Sequence, residues 1–241
     1  MTDIKADVAV VGGGMVGAAL ACGLAQQGFQ VALLELREPV EDWPRDSYDL
    51  RVSAITRSSQ HIFEHLHAWQ GMLKRRATPY NRMQVWDATG SGRIQFDAAD
   101  IAEPELGHII ENRIIQRSLW EQLQQLDRVQ LICPARVEAL ATDENCDSIL
   151  TLEDGRQLHV SLVVAADGAN SALREMAGIG ARGWSYDQTA VVATVRAEHG
   201  HQYTAWQKFM PTGPLALLPT GKDLFSIVWL SLIHISEPTR H

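Results

Sequence analysis

Six consecutive residues, Gly12-Gly13-Gly14-Met15-Val16-Gly17, satisfy the pattern GxGxxG, whose chemistry is to cradle an anion rather than to attack a bond. In such a turn the first glycine permits the reversal, the second lets backbone approach a pyrophosphate, and the third lets helix and strand pack closely. Those roles fall to Gly12, Gly14 and Gly17. A helix opening at this point adds N–H groups and a partial positive charge at its N-terminus. Glu35, 21 residues after Gly14, has the spacing and the acid group to accept hydrogen bonds from a ribose. The competing reading is a glycine-rich turn of purely structural use, and the flanking elements weigh against it.

Those elements are legible in the pattern. Ala6 to Val11 reads as a short buried strand, Met15 to Gln27 as a helix of small and apolar residues closed by Gly28, and Gln30 to Glu35 as a second buried strand. Strand, glycine turn, helix and strand within about 30 residues make the βαβ unit of a parallel sheet. Ser58 to Arg76 has helical spacing throughout. Asn112 to Leu126 is a second long helix, with Ile115, Leu119, Leu123 and Leu126 on its apolar side, followed by a strand from Val129 to Cys133. Hairpins are expected around Asp87 to Arg93 and around Asp154-Gly155, and Leu162 to Ala166 reads as a buried strand running into Asp167-Gly168. Beyond Gln188, strand-like segments at 190–196, 203–209, 215–218 and 224–229 alternate with Gly and Pro turns.

The expected fold class is therefore α/β. A Rossmann-like nucleotide domain, residues 1–75 and 100–182, is interleaved with an antiparallel β-sheet substrate domain, residues 76–99 and 183–230.

Composition narrows the function. A formal charge of −8 argues against non-specific binding to nucleic acid. The uncharged run Val8 to Ala25 raises a signal-peptide or membrane-span reading, but Asp3, Lys5 and Asp7 precede it where a basic region belongs, and Gly12, Gly13, Gly14 and Gly17 interrupt it. Cys22, Cys133 and Cys146 have neither the spacing nor the even count of a disulfide framework or zinc site, which fits a reducing cytoplasm. His61, His65 and His67 cluster on or near one expected helix, where surface exposure is favoured over ligation, so no metal is expected. Trp184, Trp206, Phe209 and Trp229 are candidates to line a substrate cavity, with sheet core as the alternative.

Three further segments narrow the reading: Leu50-Arg51-Val52-Ser53-Ala54-Ile55, Gly107 to Asn112 (GHIIEN), and Ala165-Ala166-Asp167-Gly168-Ala169-Asn170-Ser171-Ala172-Leu173-Arg174. With the glycine turn, from about residue 5 to Trp229, they resemble the flavin-dependent aromatic hydroxylases of the para-hydroxybenzoate hydroxylase type, nearest the subgroup that hydroxylates ubiquinone precursors. The resemblance implies FAD as cofactor and NAD(P)H as co-substrate. It implies that Asp167 and Gly168, within a DGxxSxxR motif, serve the FAD pyrophosphate region and NAD(P)H use. A carboxylate sits poorly against phosphate, so Asp167 is expected to order backbone N–H groups or ribose, and Arg174 alternatively serves a scaffold ion pair. Arg51 is implied to contact FAD near the flavin, the alternative being a solvated arginine beside Asp46 and Asp49. Asn112 stands where relatives present a side chain to the flavin, and it equally suits a helix N-cap.

The reaction implied is ring hydroxylation of a prenylated phenol or quinol by reduced flavin and O2, with no catalytic acid or base identified. A prenylated substrate implies work at the inner-membrane surface or within a biosynthetic assembly. The alternatives are a flavin oxidase or dehydrogenase of related fold, and a non-catalytic FAD-binding fragment. Relatives are longer and carry a further glycine-aspartate motif not seen here. Ser231 to His241 matches nothing in them and reads as a non-native tail. The chain is accordingly expected to be a C-terminally truncated member that binds FAD weakly and turns over little.

Overall fold

The computed structural model describes residues 3–142 and 147–232. Cys146 and residues 233–241 of the expected tail lie outside the described residues. In chain order the first elements are β1 (Ile4–Val11), α1 (Met15–Gln26), β2 (Val31–Leu34), β3 (Val52–Thr56), α2 (Arg57–His65), α3 (Trp69–Arg75), β4 (Ala77–Tyr80), β5 (Arg82–Asp87) and β6 (Arg93–Asp97). A 3₁₀ turn (Ala98–Ile101) leads to β7 (Gly107–Glu111), α4 (Asn112–Leu123), β8 (Val129–Ile132), β9 (Val137–Thr142), β10 (Ser148–Leu152), β11 (Gln157–Ala165) and α5 (Ala172–Met176). The last strands are β12 (Gln188–Arg196), β13 (Thr204–Met210), β14 (Gly213–Thr220) and β15 (Leu224–Leu232). β15 thus includes Ser231 and Leu232, which pair with Thr189 and Gln188 although the sequence places them in the tail.

Two compact units result. Described residues within Met1–Trp43, Phe63–Trp69 and Ile115–Arg182 form the first; those within Pro44–Ile62, Gln70–Ile114 and Gly183–His241 form the second. These boundaries differ from the sequence reading, because 44–62, 70–75 and 100–114 fall in the second unit. They do so because β3, β7 and β4 pair with one another as a three-stranded antiparallel sheet, a pairing absent from the expected elements.

The first unit is built on a six-stranded sheet in the order β8-β2-β1-β11-β10-β9. The first four strands are parallel and the last two antiparallel. All four residues of β2 are buried, as expected for an interior parallel strand covered on both faces. Its neighbour α1 buries Gly17, Ala18, Ala21, Cys22 and Ala25, small side chains that let the helix lie close to the sheet. The expected hairpin at Asp154-Gly155 joins β10 to β11, with Gly155 at φ +82 in the left-handed region. Leu162 to Ala166 is not a separate buried strand: it continues β11, and Leu162 is half exposed because it lines an open surface cleft with Leu24 and Phe29.

The single helix expected over Ser58 to Arg76 is two helices. His67 takes a left-handed conformation (φ +60), its N–H donates to the Glu64 carbonyl and the Ala68 N–H to the Phe63 carbonyl, the paired bonds that terminate a helix.

The second unit carries a sheet in the order β12-β15-β14-β13-β5-β6. It is antiparallel except where β13 lies parallel to β5, because the early hairpin β5-β6 and the late strands are two chain segments joined side by side. Tyr80, Ile109 and Ala205 form its buried cluster, against Val52, Met83, Leu106 and Leu218.

Replacing exposed His67 by glycine removes the Cβ penalty of a left-handed residue. His67→Gly is expected to stabilise the fold by about 0.5–1 kcal/mol, roughly 1–4 °C in Tm; an unchanged or lower Tm in a thermal melt contradicts that account.

Candidate cofactor-binding site

The carboxyl ends of β1, β2 and β11 meet in the first unit, at the place where the chain order reverses across the sheet and α/β proteins bind ligands. Gly12 stands at φ +107, and a Cβ there would lie 2.3 Å from the Ala166 carbonyl oxygen. A Cβ on Gly17 would lie 1.9 Å from the Gly12 carbonyl oxygen, so helix and turn touch backbone to backbone. Gly14 differs. It has ordinary dihedrals (φ −67, ψ −177), and a Cβ there would meet nothing within 4 Å. The space beside Gly14 is open at the N-terminus of α1, whose first turn has no acidic residue and whose cap has no side-chain hydrogen bond. Among the described residues no side chain of the first turn or of the cap itself offsets the helix dipole, so the end is suited to an anion.

Glu35 closes the turn from the side. Its Oε2 accepts from the Gly13 N–H at 2.6 Å, and its Oε1 accepts from the Leu36 and Arg37 N–H groups at 2.7 and 3.2 Å. Three backbone donors orient the carboxylate, and Oε2 retains a lone pair for a ribose hydroxyl. Leu36 and Arg37 then line a cleft of about 500 Å³ with Pro134, Ala135 and Arg136, of a size to take the base of a nucleotide.

Asp167 and Gly168 follow β11 directly beside Gly12. The Asp167 carboxylate accepts from the Ser171 hydroxyl at 2.5 Å and from the Leu173 N–H at 3.3 Å. Ser171 caps α5 by accepting from the Arg174 N–H at 3.0 Å. The Arg174 guanidinium donates to the Ala169 carbonyl at 2.9 Å. This segment is therefore tied down by its own side chains.

Gly12, Gly14, Gly17, Glu35, Asp167 and Gly168 all belong to the first unit, whereas Arg51 and Asn112 belong to the second. There the exposed Arg51 donates its N–H to Asp49 at 3.2 Å, and its carbonyl accepts from the Asn112 N–H at 2.9 Å. Asn112 opens α4, and its Oδ1 accepts from the Ser53 hydroxyl at 2.7 Å. The loop before Arg51 is held by buried Glu111. Glu111 accepts from the Asp49 N–H at 2.8 Å and pairs with Arg113 at 2.6 Å and Arg76 at 3.2 Å, while both arginines donate to the Ser47 carbonyl. The Arg76 guanidinium lies 3.8 Å from the Tyr48 ring centroid, a cation–π contact.

The four aromatic candidates do not share one wall. Trp206 and Trp229 lie on one face of the large sheet by register, Phe209 points to the other, and Trp184 is 79% exposed. Burial pushes the Cys22 thiol up to about 12, so it is no nucleophile; its S–H points at the Leu119 carbonyl. The residues that sequence reasoning missed are Gly13, Gln116 and Trp120. Gln116 Nε2 and Trp120 Nε1 both donate to the Gly13 carbonyl, at 2.9 and 2.8 Å. The signal available was their four-residue spacing after Asn112, which puts polar donors along one side of α4.

Known proteins resemble this chain in sequence and in fold. The sequence model of a family described as FAD binding domain matches residues 5–236. The chain is 38% identical over 229 residues to 3-demethoxyubiquinol 3-hydroxylase of Escherichia coli K12, covering 95% of this chain and 58% of that protein. It is 39% identical over 247 residues to ubiquinone biosynthesis monooxygenase COQ6 of Xenopus tropicalis, covering 96% and 53%. The chain thus spans little more than half the length of these relatives. The solved structure of PqsL from Pseudomonas aeruginosa superimposes with a TM-score of 0.81 at 20% identity, over 96% of this chain and 62% of that one, a likeness of fold.

The glycines separate two roles experimentally. Gly17→Ala is expected to cost about 3 kcal/mol through overpacking against Gly12 and to lower Tm. Gly14→Ala is expected to stay within about 1 kcal/mol of the parent yet to weaken adenosine diphosphate binding at least about tenfold, measured by calorimetry beside thermal melts. Equal binding by Gly14→Ala and the parent rules out a pyrophosphate at this turn.

Proposed function

We propose, from the premise that the chain belongs to the FAD binding domain family, that it is the FAD-holding part of a monooxygenase that hydroxylates the ring of a prenylated ubiquinone precursor. The observation that carries this reading is the identity of 38–39% across 95–96% of the chain to a 3-demethoxyubiquinol 3-hydroxylase and a ubiquinone biosynthesis monooxygenase. Gly14 and the start of α1 receive the pyrophosphate, Glu35 the ribose, and the cleft at Leu36, Arg37 and Arg136 the adenine. Asp167 orders the segment after β11 rather than meeting phosphate, and Gly168 lets that segment turn at φ +93. Arg51 and Asn112 serve the flavin end, Arg51 as a fixed cation and Asn112 through its side-chain amide, with Ser53 holding the Asn112 oxygen.

Bound FAD, reduced by NAD(P)H, supplies the transfer of one oxygen atom from O2 to the ring. The protein's share is to bind and orient both molecules and to exclude water. That division explains why no paired acid and base is required. No helix among the described residues is long and apolar enough to cross a membrane. Access to a prenylated substrate is therefore proposed to come from docking at the membrane surface or from association with a biosynthetic assembly.

Supplied with FAD, NAD(P)H, a prenylated phenol and isotopically labelled O2, the whole monooxygenase of which this chain is the FAD-holding part is expected to deliver one labelled oxygen atom to the ring, detected by mass spectrometry. Label recovered wholly as hydrogen peroxide, at a rate indifferent to the phenol, identifies an oxidase and defeats the proposal.

A further inference from the structure

Gly13 is the most heavily anchored residue of the glycine turn. Its N–H donates to Glu35 and its carbonyl accepts from both Gln116 and Trp120. Trp120 is 2% exposed, and a Cβ at Gly13 would stand 2.7 Å from the indole Cζ2, so ring and peptide are in direct contact. Gln116 and Trp120 are one turn apart on α4 and reach the same oxygen from the same side. One donor satisfies a buried carbonyl; the second adds orientation.

The consequence follows from the planarity of the peptide. In a trans peptide the carbonyl of one residue and the N–H of the next point in opposite directions. A Gly13 carbonyl drawn toward α4 turns the Gly14 N–H away from α4. A glycine-glycine peptide lacks the Cβ atoms that penalise the flipped arrangement, so little in the local chain chooses between the two. Flipped, it would aim a carbonyl dipole at the space meant for an anion.

We infer that Gln116 and Trp120 are positioning residues that lock the Gly13–Gly14 peptide with the Gly14 N–H presented to the FAD pyrophosphate. The inference rests on the reading of this turn as the FAD site. It assigns α4 a part in cofactor affinity although neither side chain need touch the cofactor.

The test uses Gln116→Leu, which keeps volume and loses the donor, Gln116→Lys, which keeps a donor, and Gln116→Leu combined with Trp120→Phe. Dissociation constants for FAD and for adenosine diphosphate are measured by fluorescence quenching and calorimetry, beside melts of the ligand-free proteins. Gln116→Leu is expected to weaken both ligands roughly 3–10-fold with an unchanged melt, Gln116→Lys to restore binding, and the double variant to weaken both by more than about tenfold. Parent-like binding by the double variant overturns the inference. So does a loss in Gln116→Leu matched by a lowered melt and not rescued by lysine, which marks a merely structural contact. If the parent binds neither ligand while folding normally, the cofactor reading itself fails and the inference falls with it.

Discussion

Position 17 has room for a hydrogen atom and nothing larger, since a Cβ there would stand 1.9 Å from the Gly12 carbonyl oxygen. That approach brings α1 onto the end of β1 and sets where the helix begins. It also aligns the turn with the end of β11, because Gly12 is equally crowded by the Ala166 carbonyl. The small face of α1, with Ala18, Ala21, Cys22 and Ala25 buried, extends the same close packing along the sheet. Helix, turn and two strand ends thereby share one rigid junction, and the uncapped helix N-terminus is left facing open space. An end suited to an anion follows from this packing before any side chain takes part.

The second unit depends on a different constraint, a buried carboxylate. Removing Glu111 from water is costly unless both oxygens find partners. Oε2 finds Arg113 and the Asp49 N–H, and Oε1 an ion pair with Arg76. The arginines in turn donate to the Ser47 carbonyl, so the desolvation cost of one acid is offset by bonds that order the loop leading to Arg51. Removing either arginine would leave part of a buried charge uncompensated, which makes this network a strong determinant of the loop's conformation.

Both units therefore spend their polar interactions on holding backbone. Glu35, Asp167, Ser171, Gln116 and Trp120 all bond main-chain groups or one another. The most strongly perturbed thiol, Cys22, is inert through burial. This economy accords with the proposed role, in which a bound cofactor would perform the difficult chemistry and the protein would supply position and exclusion of water.

The sequence by itself determined the βαβ unit, the glycine turn, Glu35, the Asp154-Gly155 and Asp87 to Arg93 hairpins and the late run of strands. Each of these is written in local terms: a residue type at a turn, a period of side chains, a fixed spacing. Family membership was legible for the same reason, through short motifs standing in order. Tertiary structure alone decided the features that join distant segments. β3, β4 and β7 are too short to stand out by period and exist because they pair with one another. The parallel contact of β5 with β13 and the division of Ser58 to Arg76 at His67 belong with them. Most telling is the Gly13 carbonyl, whose partners lie 103 and 107 residues along the chain. No local pattern announces that a glutamine and a tryptophan on a distant helix will meet it, because that meeting is set by how helix and sheet pack.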